Sequence, residues 1–433
     1  MPTSAAEPRE KSHLESVNII NALRRGTVPA GGLERIAVGL ETEEGVVGSQ
    51  LDYVARGGGD VKFIRGDYGS GKTFLVARAL EMARDKGFAT AHVIISPSSP
   101  LHKQKGVYQQ ICASLRTRED EHAVKAVIDT WLFSIEERLL RVSDQPIPEE
   151  SLEKATLKEI ETALAGISEM NSSLAAVLRT YYRANNAGDF QTAQSAIGWI
   201  CAEPNIGREL KQKAGIRGDV DESVALIFLK SLVRIIVNAG YSGLAVAVDE
   251  LETVQVLPRN QREKSYNTLR LMIDMLDRGE LPNCYFMFTG TPAFFESPRG
   301  VRSLLPLADR ISVIEGGNYK NPRQPQIILS KFDERKLEKV AEKVIEIYGR
   351  AYTEVDRSRV SHRFIKAMIE KLTGKFGGRV DVIPRIFLKE FVDVLDKCEL
   401  YDDFNPWENY RFDARTIKGE LKEEEAAVMV VEF

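Results

Sequence analysis

Cysteine and histidine are scarce in this 433-residue chain, which has four of the first and five of the second. Cys112, Cys201, Cys284 and Cys398 are widely separated, and no pair has C-x-x-C spacing. That argues against a disulfide framework and a thiolate zinc site, and free thiols fit a reducing compartment. Long apolar runs are missing as well. None approaches the ~20 residues that a membrane helix requires. The opening stretch Met1–Lys11 is polar and lacks the apolar core of a secretory signal. The expectation is a cytoplasmic protein without membrane contact. Nor is there any excess of positive charge. Lysine and arginine number 59 against 63 acidic residues, a net charge of −4. The chain as a whole is no polycation, so DNA contact would need a local basic patch. A hydrophobic share of 43% and a charged share of 28% are ordinary for a folded protein. The length suffices for two or three domains.

What the chain does have is the stretch Gly66-Asp67-Tyr68-Gly69-Ser70-Gly71-Lys72-Thr73, which reads G-x-x-x-x-G-K-T. An apolar run, Val61–Ile64, precedes it and predicts a buried strand. Apolar residues at helical spacing from Phe74 to Ala83 follow it and predict a helix. Strand, glycine loop and helix start together make an anion site, because backbone N–H groups turn inward and the helix start adds partial positive charge. Lys72 then reaches the β- and γ-phosphates of ATP, and the Thr73 hydroxyl holds magnesium. Phe74 opens the helix beside the nucleotide. In ATPases of this kind the segment upstream often supplies the adenine pocket, which makes Ile36, Ala37 and Val38 candidates.

A second signature lies far along the chain. Leu244-Ala245-Val246-Ala247-Val248-Asp249-Glu250 is a small apolar strand ending in two carboxylates. Asp249 would hold the magnesium and Glu250 would polarise the attacking water. Period-2 alternation sends adjacent carboxylates at different angles, one toward metal and one toward nucleophile. Cys284–Gly290 predicts a fourth strand, and its Thr289 is the expected sensor of the γ-phosphate, with Thr291 as the second choice. Ile311–Ile314 is expected to be the fifth strand. Among Arg299, Arg302 and Arg310, Arg302 or Arg310 is expected to reach a neighbouring subunit's nucleotide, since a guanidinium neutralises charge on a transferring phosphoryl group.

The rest of the chain divides around these motifs. Residues 1–56 form an N-terminal segment carrying the adenine-side contacts. Residues 57–325 form the nucleotide domain, with an all-helical insertion over about 119–219. Residues 326–433 form a C-terminal helical lid and tail. Trp131, Phe133, Tyr181, Tyr182 and Trp199 in the insertion read as core. In the lid, Arg379 or Arg385 is expected to point back at the phosphates. Lys336, Lys339 and Lys343, interleaved with Glu338 and Glu342, read as a solvated helix face. Met429–Phe433 would add a short strand or fray.

Several of these words together resemble the ATP-binding proteins of bacterial BREX phage-exclusion systems, of BrxC/BrxD type and nearer the shorter BrxD. They are Gly26-Thr27-Val28-Pro29, Arg65–Phe74, Gly240–Leu244 running into Val248-Asp249-Glu250-Leu251-Glu252, and Gly377–Asp381 with Pro384-Arg385. That family in turn looks like AAA+ ATPases of the origin-recognition kind. The resemblance implies an α/β fold with a five-stranded parallel sheet in the order 5-1-4-3-2. It implies a cytoplasmic ATPase in phage defence that engages DNA, itself or other BREX components. A C-terminal winged helix is missing, which counts against sequence-specific duplex recognition. Three readings stay open: an ATPase that remodels DNA or a partner, a slow ATP-gated assembly switch, and an initiator-like DNA binder.

Overall fold

The computed structural model describes residues 7–142, 147–164, 171–314, 320–330, 332–375 and 383–411. Helices α1 (Glu7–Arg24) and α2 (Glu41–Ala55) lead to strand β1 (Gly59–Arg65). The chain continues through α3 (Lys72–Asp85), β2 (Ala89–Ile94) and α4 (Gln104–Ala113). It then runs through α5 (Val124–Val142), α6 (Glu149–Leu164), α7 (Asn171–Asn186), α8 (Phe190–Ile200) and α9 (Arg208–Ala214). Helix α10 (Ala225–Asn238) returns to β3 (Leu244–Asp249), and α11 (Arg259–Asp277) leads to β4 (Cys284–Gly290). Short helices α12 (Pro292–Glu296) and α13 (Leu305–Ile311) precede β5 (Gln326–Ile328). The described chain closes with α14 (Glu334–Ala351), α15 (His362–Lys375), α16 (Ile383–Leu400) and α17 (Pro406–Asn409).

The five strands form one sheet in the order β2-β3-β4-β1-β5, and every pair is parallel. Read from the other edge this is the expected 5-1-4-3-2. Both faces are covered, and period-2 alternation divides each strand between them. Phe63, Val246, Val248, Phe286 and Phe288 join the core beneath α4, α10 and α11. Ile64, Ala245, Ala247, Tyr285 and Met287 join the core beneath α2 and α3. The alanines of β3 leave room for α3 to lie close. On the other face Phe63 stacks on Phe288 at 5.3 Å between ring centres.

The fifth strand is not where the sequence suggested. Ile311 ends helix α13, and β5 is instead Gln326–Ile328, pairing Phe63 with Gln326 and Arg65 with Ile328. A leucine–proline start at Leu305-Pro306 favours a helix, so Leu307 and Ile311 reach the core at i,i+4 rather than by alternation. The sheet therefore runs on past residue 325, where its end was expected.

The insertion is built of helices in its described part, as expected. Trp131, Tyr181, Tyr182 and Trp199 are buried, but Phe133 is 65% exposed on α5, contrary to its reading as core. Trp199 meets Phe228 of α10 edge-on at 5.4 Å, which ties the insertion to the sheet's own covering helix.

A further core joins the two ends of the described chain. Ile19, Ile20 and Leu23 of α1, with Leu33, Ile36 and Val38, pack among apolar residues of α14, α15 and α16. Arg24 clamps this contact, donating from Nε to Asp396 Oδ2 at 2.7 Å and from its terminal nitrogen to Oδ1 at 2.8 Å. Two of the supposedly solvated lysines belong here. Lys343 donates to the Ala37 carbonyl at 2.5 Å, and Lys336 lies over the Phe332 ring at 5.8 Å.

Candidate nucleotide site

Strand β1 ends at Arg65, and the loop Gly66–Gly71 turns the chain into α3. Gly66 has no room for a side chain, because a Cβ there would collide with the Ser70 hydroxyl. Gly69 and Gly71 stand at φ of 73° and 91°, left-handed values open to glycine. That twist brings the first turn of α3, with its unpaired N–H groups, to the mouth of the loop. Lys72 folds back over the loop, donating to the carbonyls of Gly66 at 2.9 Å and Asp67 at 3.1 Å. Its ammonium lies 5.2 Å from the centre of the Tyr68 ring. The buried Ser70 hydroxyl has no hydrogen-bond partner.

The ends of β3 and β4 arrive opposite. The Thr73 hydroxyl lies 3.3 Å from Asp249 Oδ2. The Thr289 hydroxyl donates to Asp249 Oδ1, and the Glu250 N–H reaches the same oxygen at 2.9 Å and Thr289 Oγ1 at 3.2 Å. Thus Lys72, Thr73, Asp249, Glu250 and Thr289, from three separate stretches of chain, share one location. Glu250 itself is exposed and takes a left-handed backbone at φ 63°. This turns the chain off the strand into a 3-10 turn over Leu251–Val256.

Charge in the site follows from burial. Burial pushes the Asp249 carboxyl up, but His92, Thr289 and the Glu250 N–H outweigh it and hold the group below its ordinary value. Glu250 opens to solvent on one side, and its partial burial and then Asp249 raise its carboxyl above the ordinary value. Burial lowers Lys72, against the attraction of nearby carboxylates. Asp249 therefore stays anionic, as a cation ligand must.

The donor set suits magnesium. Thr73 and Asp249 offer hard oxygens beside a loop that would receive phosphate oxygens, and magnesium takes few protein ligands and completes its shell with phosphates and water. Among the described residues there is no all-protein cluster of three or more acidic, histidine or cysteine groups that would hold a metal by itself.

Two residues stand in the site that the sequence reading did not single out. His92 of β2 has Nε2 3.7 Å from Asp249 Oδ2. Glu252 is 7% exposed, and its Oε2 has no hydrogen-bond partner. The register could have found His92, since β2 pairs His92 with Ala247, two residues before Asp249.

Of the residues expected to contact the base, buried Ile36 packs in the core shared with the C-terminal helices, and Phe74, with Ala77 and Phe332, borders that core. Phe332 also lies within reach of Gly71. Thr291 is buried at the start of α12. The outlying arginines have other partners or face solvent in this structure. Arg385 is exposed and donates to the Gly26 carbonyl at 2.5 Å. Arg310 is held by Asp274 at 2.5 Å, and Arg302 is exposed. Arg379 and the Met429–Phe433 tail lie outside the described residues. No helix among the described residues is long and apolar enough to cross a membrane.

The family model described as "BREX system ATP-binding protein BrxC/D" matches residues 12–414. No curated protein and no solved structure matches the chain. The matched stretch takes in both phosphate-site signatures and the helices that flank them, and the chain belongs to the family of BREX system ATP-binding proteins, BrxC/D.

Proposed function

We propose that this protein is a magnesium-dependent ATPase of AAA+ type that serves phage defence in the cytoplasm and couples its ATP cycle to DNA or to partner proteins. The observation that carries the reading is the approach of Thr73 Oγ1 to Asp249 Oδ2, 3.3 Å across 176 residues of chain, beside an unpartnered phosphate-loop serine. Lys72, freed from the Gly66 and Asp67 carbonyls, grips the β- and γ-phosphates together with the N–H groups of the loop. Thr73 and Asp249 would hold magnesium, which would supply positive charge beside the phosphate oxygens. Thr289 keeps the Asp249 carboxylate in one orientation and reports the terminal phosphate. Glu250, exposed at the strand's end, orients water for in-line attack. Ile36 and Phe74 flank the base.

The division into an N-terminal segment to residue 56, a nucleotide domain and a C-terminal lid is part of the same proposal, with Arg379 or Arg385 as the lid's arginine. Self-association, with Arg302 or Arg310 offered to a neighbour, and binding to other BREX components or DNA complete it.

The test is ATP turnover by the purified protein with and without magnesium, beside Lys72→Ala and Glu250→Gln. Removal of the lysine is expected to abolish nucleotide binding. The glutamine variant should keep binding and lose on the order of 10²-fold in turnover, the scale of a lost proton-handling group. Unchanged turnover in both variants would overturn the assignment. Tight ATP retention with negligible wild-type turnover would favour the assembly switch instead.

A further inference from the structure

The helical insertion holds a cleft that the scheme above does not use. Helices α6, α7 and α9 line an open space of about 300 Å³. Its walls carry Lys154 and Lys158 of α6, Arg179 and Arg183 of α7, and Lys213 of α9, against one carboxylate, Glu161. The cations of α6 and of α7 each stand at i,i+4, on one face of their helix and about 6 Å apart along its axis. Lys154 meets Glu150 at 2.6 Å, Arg183 meets Glu153 at 2.9 Å, and Lys213 meets Asp189 and Glu209, each at 2.9 Å. Those four acids stand outside the cleft's lining, and only Arg179 pairs with an acid inside it, Glu161. The Lys158 ammonium has no partner among the described residues. Among the described residues no aromatic ring lines the cleft. In a chain of net charge −4, this is the local basic patch that contact with a nucleic acid requires.

We propose that this cleft binds the phosphate backbone of a nucleic-acid duplex. The inference rests on the DNA-coupled part of the reading above and gives that coupling a place on the molecule. Exposed ion pairs such as those of Lys154, Arg183 and Lys213 hold weakly, so their cations exchange a carboxylate for a phosphate oxygen at little cost. The guanidinium forks of Arg179 and Arg183 suit phosphate in particular. The step between cations at i and i+4 is of the order of the step between successive phosphates of one strand, so the rows on α6 and α7 can follow a backbone. An acidic peptide offers carboxylates without that regular step. With no ring to stack on, unpaired bases find no platform in the cleft, which favours a duplex over a single strand. Contacts to phosphate carry no sequence information, so binding here is independent of sequence.

The experiment follows binding of a labelled DNA duplex of mixed sequence by fluorescence anisotropy, across about 50–200 mM salt. It compares the full chain with Lys158→Ala, Lys158→Glu and the double variant Lys158→Ala with Arg183→Ala. Lys158 is the cleanest probe, since its ammonium has no internal contact to lose, and it keeps the test valid even if the double variant folds poorly. Wild type is expected to bind with log K falling linearly against log salt. Each phosphate contact removed should make that slope shallower by about 0.9, so the double variant by about 1.8, with affinity down about tenfold at the low-salt end. Lys158→Glu should weaken binding more than Lys158→Ala. Equal affinity and slope in all four proteins overturns the proposal. So does a wild type that ignores the duplex, whether or not it takes up poly-glutamate instead, and so does a single strand bound as tightly as the duplex. A parallel run with an RNA duplex names the source of the backbone, the tighter of the two being the ligand. The failures separate. Weaker duplex binding in the cleft variants, without any wild-type ATP turnover, defeats the ATPase reading and leaves this inference standing. Turnover that Glu250→Gln abolishes, beside duplex binding indifferent to the cleft, loses this inference alone.

Discussion

A single methyl group is enough to test the phosphate cradle. At Gly66 an added Cβ meets the Ser70 hydroxyl, so Gly66→Ala must turn that hydroxyl aside or shift the loop around it. Nucleotide affinity is expected to fall at least about tenfold, the equivalent of about 1.4 kcal/mol. The melting temperature without ligand should hardly move, because Ser70 has no partner to lose. Titration calorimetry beside a thermal melt distinguishes this from general unfolding. Glu252 offers a second test at this scale. Burial raises its pKa to about 7, above the ordinary carboxyl value. A carboxyl raised on folding contributes stability that is full below its unfolded pKa and is lost as pH rises through the folded one. Wild type is therefore expected to lose melting temperature between about pH 4.5 and 7.5, the span from the unfolded to the folded value, and Glu252→Gln should flatten that slope. Melts across the range at constant ionic strength check it. Most of the cradle was legible in the sequence because glycine, lysine and threonine have fixed offsets there. Glu252 and His92 were not, since their roles come from burial and from neighbouring strands.

Among elements, legibility followed length and pattern. β3 and β4 were plain, since runs of six and seven residues buried on both faces read as continuous apolar stretches. The helical character of the insertion was legible as well, and its described part is a series of separate helices. β5 was missed because three residues, Gln326–Ile328, carry no alternation, and the rival Ile311–Ile314 looked more like a strand. Only pairing with β1 identifies it. Lys62 of β1 secures that arrangement: its buried ammonium donates to the carbonyls of Gln324 at 2.7 Å and Pro322 at 3.1 Å, tying down the chain just before β5. The α1–α16 contact gives the test at this level. Asp396 accepts both Arg24 nitrogens and also the Tyr348 hydroxyl at 3.0 Å. Because Arg24 is partly solvated, Asp396→Ala should cost only about 1 kcal/mol, read as a lower denaturant midpoint with an unchanged slope.

For the whole molecule, the notable feature is that the same segment serves both ends of the chain. Leu33, Ile36 and Val38 sit between α3 and the C-terminal helices. Leu33 N–H donates to Glu81 of α3 at 3.2 Å, while Ala37 accepts Lys343 of α14. That long-range arrangement was beyond the sequence, where residues 1–56 read only as a segment upstream of the loop.

The closure of one end upon the other also bears on how the protein is made. In their core Ile19, Ile20 and Leu23 join Leu33, Ile36 and Val38 nearby, and every other buried member lies from Leu337 onward. A ribosome adding about 5–20 residues per second needs about 15–60 s to cover that distance. Throughout that interval much of the oily stripe of the first helix waits on the nascent chain, so the newborn protein is a natural client for chaperones until its last quarter emerges.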